Sequence, residues 1–285
     1  MYWQEKAYAL GFSVRPKASQ RNQALLETNI PEQWSILNLI PVPKSGDLSN
    51  TANYRGISLS SIVAKTFNRM LLNRIRPHID EKLRPNQCGF RENRSTVSQI
   101  LALRRLIEGI KDQNLTAVMT FIDFKKAFDT ISRKLLLEKL YKYGIRGLPW
   151  QLIESYLSER KQRVRVNDTF SDYYSNNYGI PQGSILGPFL FLLFINDLPR
   201  ISSEFSTILF ADDTTLCFRG NSIQNLVEKC NSELTLFYNW CLGNRLSLNF
   251  DKSFCMIITN RQFLDDDIEI NLGNHRLRVE FRRNF

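Results

Sequence analysis

Histidine is nearly missing from this chain: only His78 and His275 stand among 285 residues. Its five cysteines, Cys88, Cys217, Cys230, Cys241 and Cys255, form no C-x-x-C pair. These shortages argue against a structural zinc site, which draws four ligands from exactly those two residue types. The odd count and wide spacing instead suit reduced thiols packed as small core residues. That points to an intracellular setting, with nucleus or cytoplasm left open. Long apolar runs are absent too. The most apolar stretch, Ile185–Ile195, is broken by Gly187 and Pro188 and falls well short of the ~20 residues that cross a bilayer, so no membrane partner is expected. The opening MYWQEKAYALGF lacks the basic and apolar regions of a secretory signal.

What the chain does have is positive charge: 38 Lys and Arg against 28 Asp and Glu, a formal +10. With aromatics interspersed, this balance suits a polyanionic partner, because neutralising phosphates releases their condensed counterions. A hydrophobic fraction of 43% with 23% charged residues is ordinary for a globular protein, and the length allows one large or two modest units.

Apolar periodicity sketches the elements. Residues 36–44 (ILNLIPVPK) read as a strand ending at prolines. Val63, Phe67, Leu71 and Ile75 recur every fourth residue, which predicts a helix stopped by Pro77. Residues 117–123 (AVMTFID) read as a strand ending on a carboxylate. Leu136, Leu137, Leu140 and Tyr141 mark a helix, Pro149 can open another, and Arg163-Val164-Arg165-Val166 alternates as a half-buried strand does. Residues 207–210 and 214–218 flank Ala211-Asp212-Asp213 and predict a hairpin with acids at its tip. Ile223 through Cys241 carries the best apolar helical face, with Ser222 as N-cap and Gly243 as C-cap, and residues 254–259 give one more strand. The order strand, helices, hairpin, helix, strand predicts an α+β fold with a ferredoxin-like split βαβ antiparallel sheet and helices on one face.

The acids at strand ends carry the chemistry. Asp123 follows Thr120-Phe121-Ile122, and Asp212-Asp213 follow Ile208-Leu209-Phe210-Ala211. If the two strands adjoin in one sheet, three carboxylates converge. Each like-charge pair at ~4 Å then costs about 4 kcal/mol at an effective dielectric near 20. A divalent cation relieves that cost, and oxygen ligands without His or Cys favour magnesium. Two such ions can clamp the attacking and leaving oxygens of a phosphoryl displacement. Gly179-Ile180-Pro181-Gln182-Gly183-Ser184 adds a stiff turn whose glycines let backbone approach a ligand. It is no Walker A loop, since neither Lys-Ser nor Lys-Thr follows its second glycine.

Residues 121–129 (FIDFKKAFD), 179–188 (GIPQGSILGP) and 210–213 (FADD) resemble the successive palm motifs of reverse transcriptases, especially those of non-LTR (LINE-type) retrotransposons. Upstream, residues 53–59 (NYRGISL) and 87–91 (QCGFR) resemble the finger motifs of that family, in the same order. The resemblance runs from about Ile36 to Ile258. It implies a fingers-and-palm polymerase core: an N-terminal segment of unclear role over 1–35, fingers over 36–116, and a palm over 117–260 with a fingers insertion near 145–178. Residues 261–285 would be the truncated start of a primer-grip and thumb region.

The resemblance also assigns roles. Asp123, Asp212 and Asp213 become the catalytic ligands of two magnesium ions, with an added oxygen from the Phe124 carbonyl. Phe128 packs against the sugar of the incoming nucleotide and selects deoxynucleotides. Gln182 and Gly183 lie beneath the template–nucleotide pair, and Lys44 and Arg55 grip the triphosphate. Arg91 contacts template phosphate, and Lys252 helps protonate the leaving pyrophosphate. Asp129 fixes the turn after the strand rather than binding metal. The implied partners are an RNA template, a DNA primer and dNTPs. Gly56 and Cys88 depart from the residues common in the family without removing a charged or metal-binding group. The chain ends at Phe285, where the resemblance implies continuation into a thumb, and no endonuclease region stands upstream, so a fragment of a longer element polyprotein or a decayed copy is expected. The rival readings are a polymerase-derived nucleic-acid-binding fragment without turnover and an RNA-directed RNA polymerase. Ala211 and the bulky Phe128 argue against the latter.

Overall fold

The structure, a computed structural model, describes residues 28–44, 46–260 and 268–282. Expectations placed on 1–27, 261–267 and 283–285 lie outside the described residues. In chain order the elements begin with α1 (Glu32–Ser35), β1 (Ile36–Pro43), β2 (Tyr54–Leu59), α2 (Ile62–Ile79), α3 (Thr96–Asp112) and β3 (Thr116–Ile122). There follow α4 (Ala127–Thr130), α5 (Arg133–Lys142), α6 (Leu148–Leu157), β4 (Arg160–Val166), β5 (Thr169–Phe170), β6 (Tyr174–Asn176) and α7 (Gly187–Ile195). Last come β7 (Ser206–Phe210), β8 (Asp213–Gly220), α8 (Ile223–Gly243), β9 (Phe254–Ile258), β10 (Asn271–Leu272), β11 (His275–Arg276) and β12 (Arg278–Arg282). The chain divides into two compact units, Met1–Lys82 with Phe128–Phe194, and Leu83–Ala127 with Ile195–Phe285.

The first unit is built on a sheet ordered β2-β1-β4-β5, with β6 added to β4. β1 pairs antiparallel with β2, Ile40 opposite Ile57, and parallel with β4. Helix α2 starts where Ser61 Oγ accepts the Ala64 amide at 3.2 Å, and it buries Phe67, Leu71 and Ile75 as the fourfold spacing requires. It does not stop at Pro77 but runs to Ile79. Pro77 removes one helix hydrogen bond on an exposed side, while the Asp80 amide still closes on the Arg76 carbonyl, so the last turn completes.

The second unit is a five-stranded sheet ordered β12-β9-β3-β8-β7. β8 pairs antiparallel with both β7 and β3, and β3 antiparallel with β9. Strands β3 and β7 therefore run the same way with β8 between them, and β8 and β9 do so with β3 between them. These are two interleaved split βαβ units, as the sequence pattern suggested. One detail differs: helices cover both faces. On one face Ala117, Met119, Cys217 and Ile258 pack with Ile110, Leu106 and Leu103 of α3. On the other, Thr120 and Cys255 meet Cys230 of α8. Alternate strand residues point to opposite faces, and β3 is buried along nearly its whole length, so both faces need a cover.

All five cysteines are free and buried. Burial pushes the Cys217 and Cys255 thiols up to about 12, which keeps them protonated and confines them to packing. Among the described residues no helix is long and apolar enough to cross a membrane.

Candidate active site

The second unit's sheet brings the two acidic segments together. Its β3–β8 ladder ends with Ile122 opposite Thr214. Asp123 and Asp213 are the next residues beyond that last pair. Across the hairpin, Phe210 pairs with Asp213, so β7 and β8 are joined by the two-residue loop Ala211-Asp212. Ala211 adopts a φ of +56°. Tight two-residue hairpins call for positive φ, and a non-glycine residue bears that conformation at roughly 1–2 kcal/mol.

The electrostatics register this proximity. Asp213 is open to solvent as a whole residue, yet partial burial of its carboxyl, then the charges of Asp212 and Asp123, raise its pKa above the ordinary value. Among the described residues, no three His, Cys, Asp or Glu side chains form a group that could hold an ion by themselves. The donor set still fits magnesium: it is all oxygen, and magnesium is commonly held by one or two carboxylates completed by substrate phosphates rather than by an all-protein cage.

Asp123 is held from the turn before β9. Asn249 Nδ2 donates to Asp123 Oδ2 at 2.7 Å, and the Asn249 amide donates to the Asp123 carbonyl at 2.8 Å. The Asp123 amide donates to Ser253 Oγ at 3.1 Å, whose hydroxyl donates in turn to the Asn249 carbonyl at 2.8 Å. Phe124 is buried and bridges to Leu248, which fixes the backbone just beyond the acid. Lys252 lies in the same turn, exposed, its amide donating to the Asn249 carbonyl at 3.2 Å. Arg91 is half-buried and donates from Nη1 to the Arg84 carbonyl at 2.8 Å.

The hairpin tip is gripped as well. Gln87 Oε1 accepts the amides of Ala211 at 2.9 Å and Gly89 at 2.8 Å, and its Nε2 donates to the Ala211 carbonyl at 3.1 Å. A Cβ at Gly89 would lie 2.2 Å from the Ala211 nitrogen, so only glycine permits this approach.

The remaining site residues sit in the first unit. The Phe128 ring stacks on Phe191, with centroids 4.5 Å apart and planes at 18°. Gln182 Nε2 donates to both carboxylate oxygens of Asp129, at 2.8 and 2.9 Å, and its carbonyl accepts the Ser58 amide at 2.8 Å. Gly183, at φ +84°, turns the chain beside Ile57. The strand leading into this loop is pinned by Arg133, which donates to the carbonyls of Asn176, Tyr178 and Gly179. Burial, then the charge of Arg160, lowers its guanidinium to about 10. Arg55 pairs with Val42, and Lys44 lies two residues along from Val42, so the pleat directs both exposed cations to one face of the β1–β2 hairpin. Asn249, Ser253, Gln87 and Arg133 carry no sequence signal of their supporting roles, because each acts through contacts 43 to 130 residues away.

The reverse transcriptase (RNA-dependent DNA polymerase) family profile matches residues 42–274. The chain belongs to that family. Its relatives are reverse transcriptases of mobile elements. A probable RNA-directed DNA polymerase from transposon BS of Drosophila melanogaster is 30% identical over 78% of this chain and 26% of its own length. The RNA-directed DNA polymerase from mobile element jockey of the same fly is 28% identical over 81% of this chain and 26% of its own. The Pol polyprotein of retrotransposable element R2 from Popillia japonica is 29% identical over 67% and 29%. These are the non-LTR elements that the motifs resembled. The chain spans about a quarter of the length of these relatives. Among solved structures, apo telomerase from Candida tropicalis matches with a TM-score of 0.54 at 11% identity, covering 87% of this chain and 54% of that one. Telomerase from Candida albicans matches at 0.53 and 11%, covering 89% and 46%. These likenesses agree with an α+β, fingers-and-palm fold for this reverse transcriptase chain.

Proposed function

We propose that the chain is the core of an RNA-directed DNA polymerase that adds dNTPs to a primer 3′-hydroxyl opposite an RNA template. The observation that carries this reading is the pairing of β8 with both β3 and β7, which brings Asp123 and Asp212 within electrostatic reach of Asp213. We assign residues 36–116 to fingers and 117–260 to palm, with a fingers insertion near 145–178.

Asp123, Asp212, Asp213 and the Phe124 carbonyl would hold two magnesium ions, with phosphate oxygens completing each shell. When bound, the ions supply activation of the attacking hydroxyl and neutralisation of the leaving pyrophosphate. Asn249 and Ser253 hold Asp123 in place, so little reorganisation is needed at the moment of reaction. Phe128, steadied by its stack on Phe191, packs against the sugar and excludes a 2′-hydroxyl. Gln182, oriented by Asp129, and Gly183 support the nascent base pair. Lys44 and Arg55 pair with the triphosphate, Arg91 with template phosphate, and Lys252 donates a proton to pyrophosphate. Catalysis on this account is positioning and electrostatics.

Charge supports a nucleic-acid partner. Between Ile62 and Ile79, α2 carries Lys65, Arg69, Arg74 and Arg76 and no acid. Beside it runs a groove of about 660 Å³ lined by Lys65, Arg69 and Arg74 with Thr66, Asn73 and Ile185. The test is magnesium-dependent extension of an oligo(dT) primer on poly(rA) with dTTP, beside the same primer on poly(dA) and with UTP. Extension on RNA with dTTP supports the reading. Binding of the duplex without extension leaves a nucleic-acid-binding fragment instead.

A further inference from the structure

The hairpin that carries Asp212 is not held by its own sheet alone. Residues 86–88 run beside β7 as a short parallel addition: the Leu209 amide donates to the Asn86 carbonyl at 3.1 Å, and the Cys88 amide donates to the Leu209 carbonyl at 3.0 Å. Asn86 Nδ2 adds a bond to the Thr207 carbonyl at 3.0 Å. This addition continues the pairing up to the tip, where a side chain takes over from backbone.

That side chain is Gln87, 3% exposed. Its amide stands to Ala211 as a peptide group stands to its partner in a ladder, accepting the Ala211 N–H and donating to the Ala211 carbonyl. The assignment of its oxygen and nitrogen is fixed by the network, since Oε1 receives two backbone N–H groups, those of Ala211 and Gly89. Both polar groups of the residue before Asp212 are thus bonded by one buried amide. That residue sits in a left-handed conformation which surrounding structure has to over-determine if it is to persist. Gln87 lies 124 residues from Ala211 in sequence, so the contact is made only in the folded unit.

We propose that Gln87 is a positioning residue for Asp212: it fixes the Ala211–Asp212 peptide so that the Asp212 carboxylate is presented in one direction to a divalent cation. It touches neither substrate nor reacting atoms. The proposal rests on the polymerase reading for its consequence in turnover, though not for its consequence in cation binding. A purely structural Gln87 would stabilise the unit without altering either property in molecules that are folded.

The test uses the full chain with Gln87→Asn, one methylene too short to keep all three bonds, and Gln87→Glu, which is isosteric and keeps both acceptor bonds but cannot donate to the Ala211 carbonyl. Three quantities are read on the folded fraction: hydrogen exchange at the Ala211 amide, Mn²⁺ affinity by calorimetry, and single-turnover primer extension. Gln87→Asn is expected to speed exchange at Ala211 at least tenfold, weaken Mn²⁺ binding about tenfold, and slow extension 10- to 100-fold with KM for dTTP within about twofold. Gln87→Glu is expected to leave exchange at Ala211 within about threefold and to slow extension less than Gln87→Asn does. Unchanged Mn²⁺ affinity and unchanged exchange in folded Gln87→Asn overturn the proposal, as does a wild-type chain that binds no Mn²⁺. Should Gln87→Asn not fold, exchange at Ala211 in Gln87→Glu as fast as in a free peptide overturns it, and protection supports it. A wild-type chain that binds Mn²⁺ but extends no primer defeats the polymerase reading while the Mn²⁺ comparison still decides the role of Gln87.

Discussion

Asn249 donates a 2.7 Å hydrogen bond to Oδ2 of Asp123 from a turn 126 residues further along the chain. The same residue's backbone closes a second bond on the Asp123 carbonyl, so both the side chain and the main chain of the acid are fixed from one place. A hydrogen bond to a charged group is worth about 1.5–3 kcal/mol. Replacing Asn249 by Ala is therefore expected to slow primer extension about 10- to 100-fold. Single-turnover kinetics at saturating dNTP check this, with circular dichroism confirming the fold.

Phe128 should govern sugar choice. Its ring lies flat on the buried Phe191, which fixes the ring's orientation. Phe128→Val removes the bulk while leaving Phe191 in place, so ribonucleotide incorporation should rise. The ratio of UTP to dTTP extension efficiency on poly(rA) measures the change, and an unaltered ratio would remove this role.

The Asp129–Gln182 contact predicts a binding effect more than a rate effect. Asp129→Ala frees the Gln182 amide at an exposed site, a loss of about 1 kcal/mol. The KM for dNTP should rise about fivefold, with the extension rate at saturation changing less. Steady-state titration of dTTP separates the two.

The raised pKa of Asp213 has a sign in stability. A carboxyl whose native pKa lies above its ordinary 3.8 holds protons in the folded chain that the unfolded chain has released. Stability is therefore lost as pH climbs from the ordinary value through the raised one. In metal-free buffer at pH 7, Asp213→Asn should raise the melting temperature. The gain should be less than about 1 kcal/mol, because the residue is open to solvent, and should shrink as pH falls toward 4. Added Mg²⁺ should stabilise the wild type more than the variant. Melting curves across pH, with and without Mg²⁺, test both.

Much of this architecture was readable from residue pattern. The β-formers before Asp123 and the apolar stretch before Asp212 mark strands, and the apolar runs flanking Ala211-Asp212-Asp213 mark a hairpin with acids at its tip. Pattern could not give the layer on the sheet's second face. Helix α3 is hard to read from pattern although Ser95 caps it and the half-buried Leu103, Leu106 and Ile107 line up with the buried Ile110; the exposed Val97, Ile100 and Leu101 blur that stripe. Pro77 was read as a stop because local rules weigh the missing N–H and not the packing of Ile79 that carries the helix on. The site's acids stood out because carboxylates at the ends of apolar strands are conspicuous. Their supports did not, because a Gln at 87 or an Asn at 249 acquires meaning only from a partner more than a hundred residues away.

The central claim is that Asp123, Asp212 and Asp213 together hold divalent cations for nucleotide transfer. Counting bound Mn²⁺ tests it most directly, by titrating the chain with a dideoxy-terminated primer on an RNA template and the matching dNTP. The account predicts two ions per wild-type chain, with Asp212→Asn and Asp123→Asn each losing at least one while still binding the duplex. No bound ion in the wild type, or the same two ions in both variants, would contradict it.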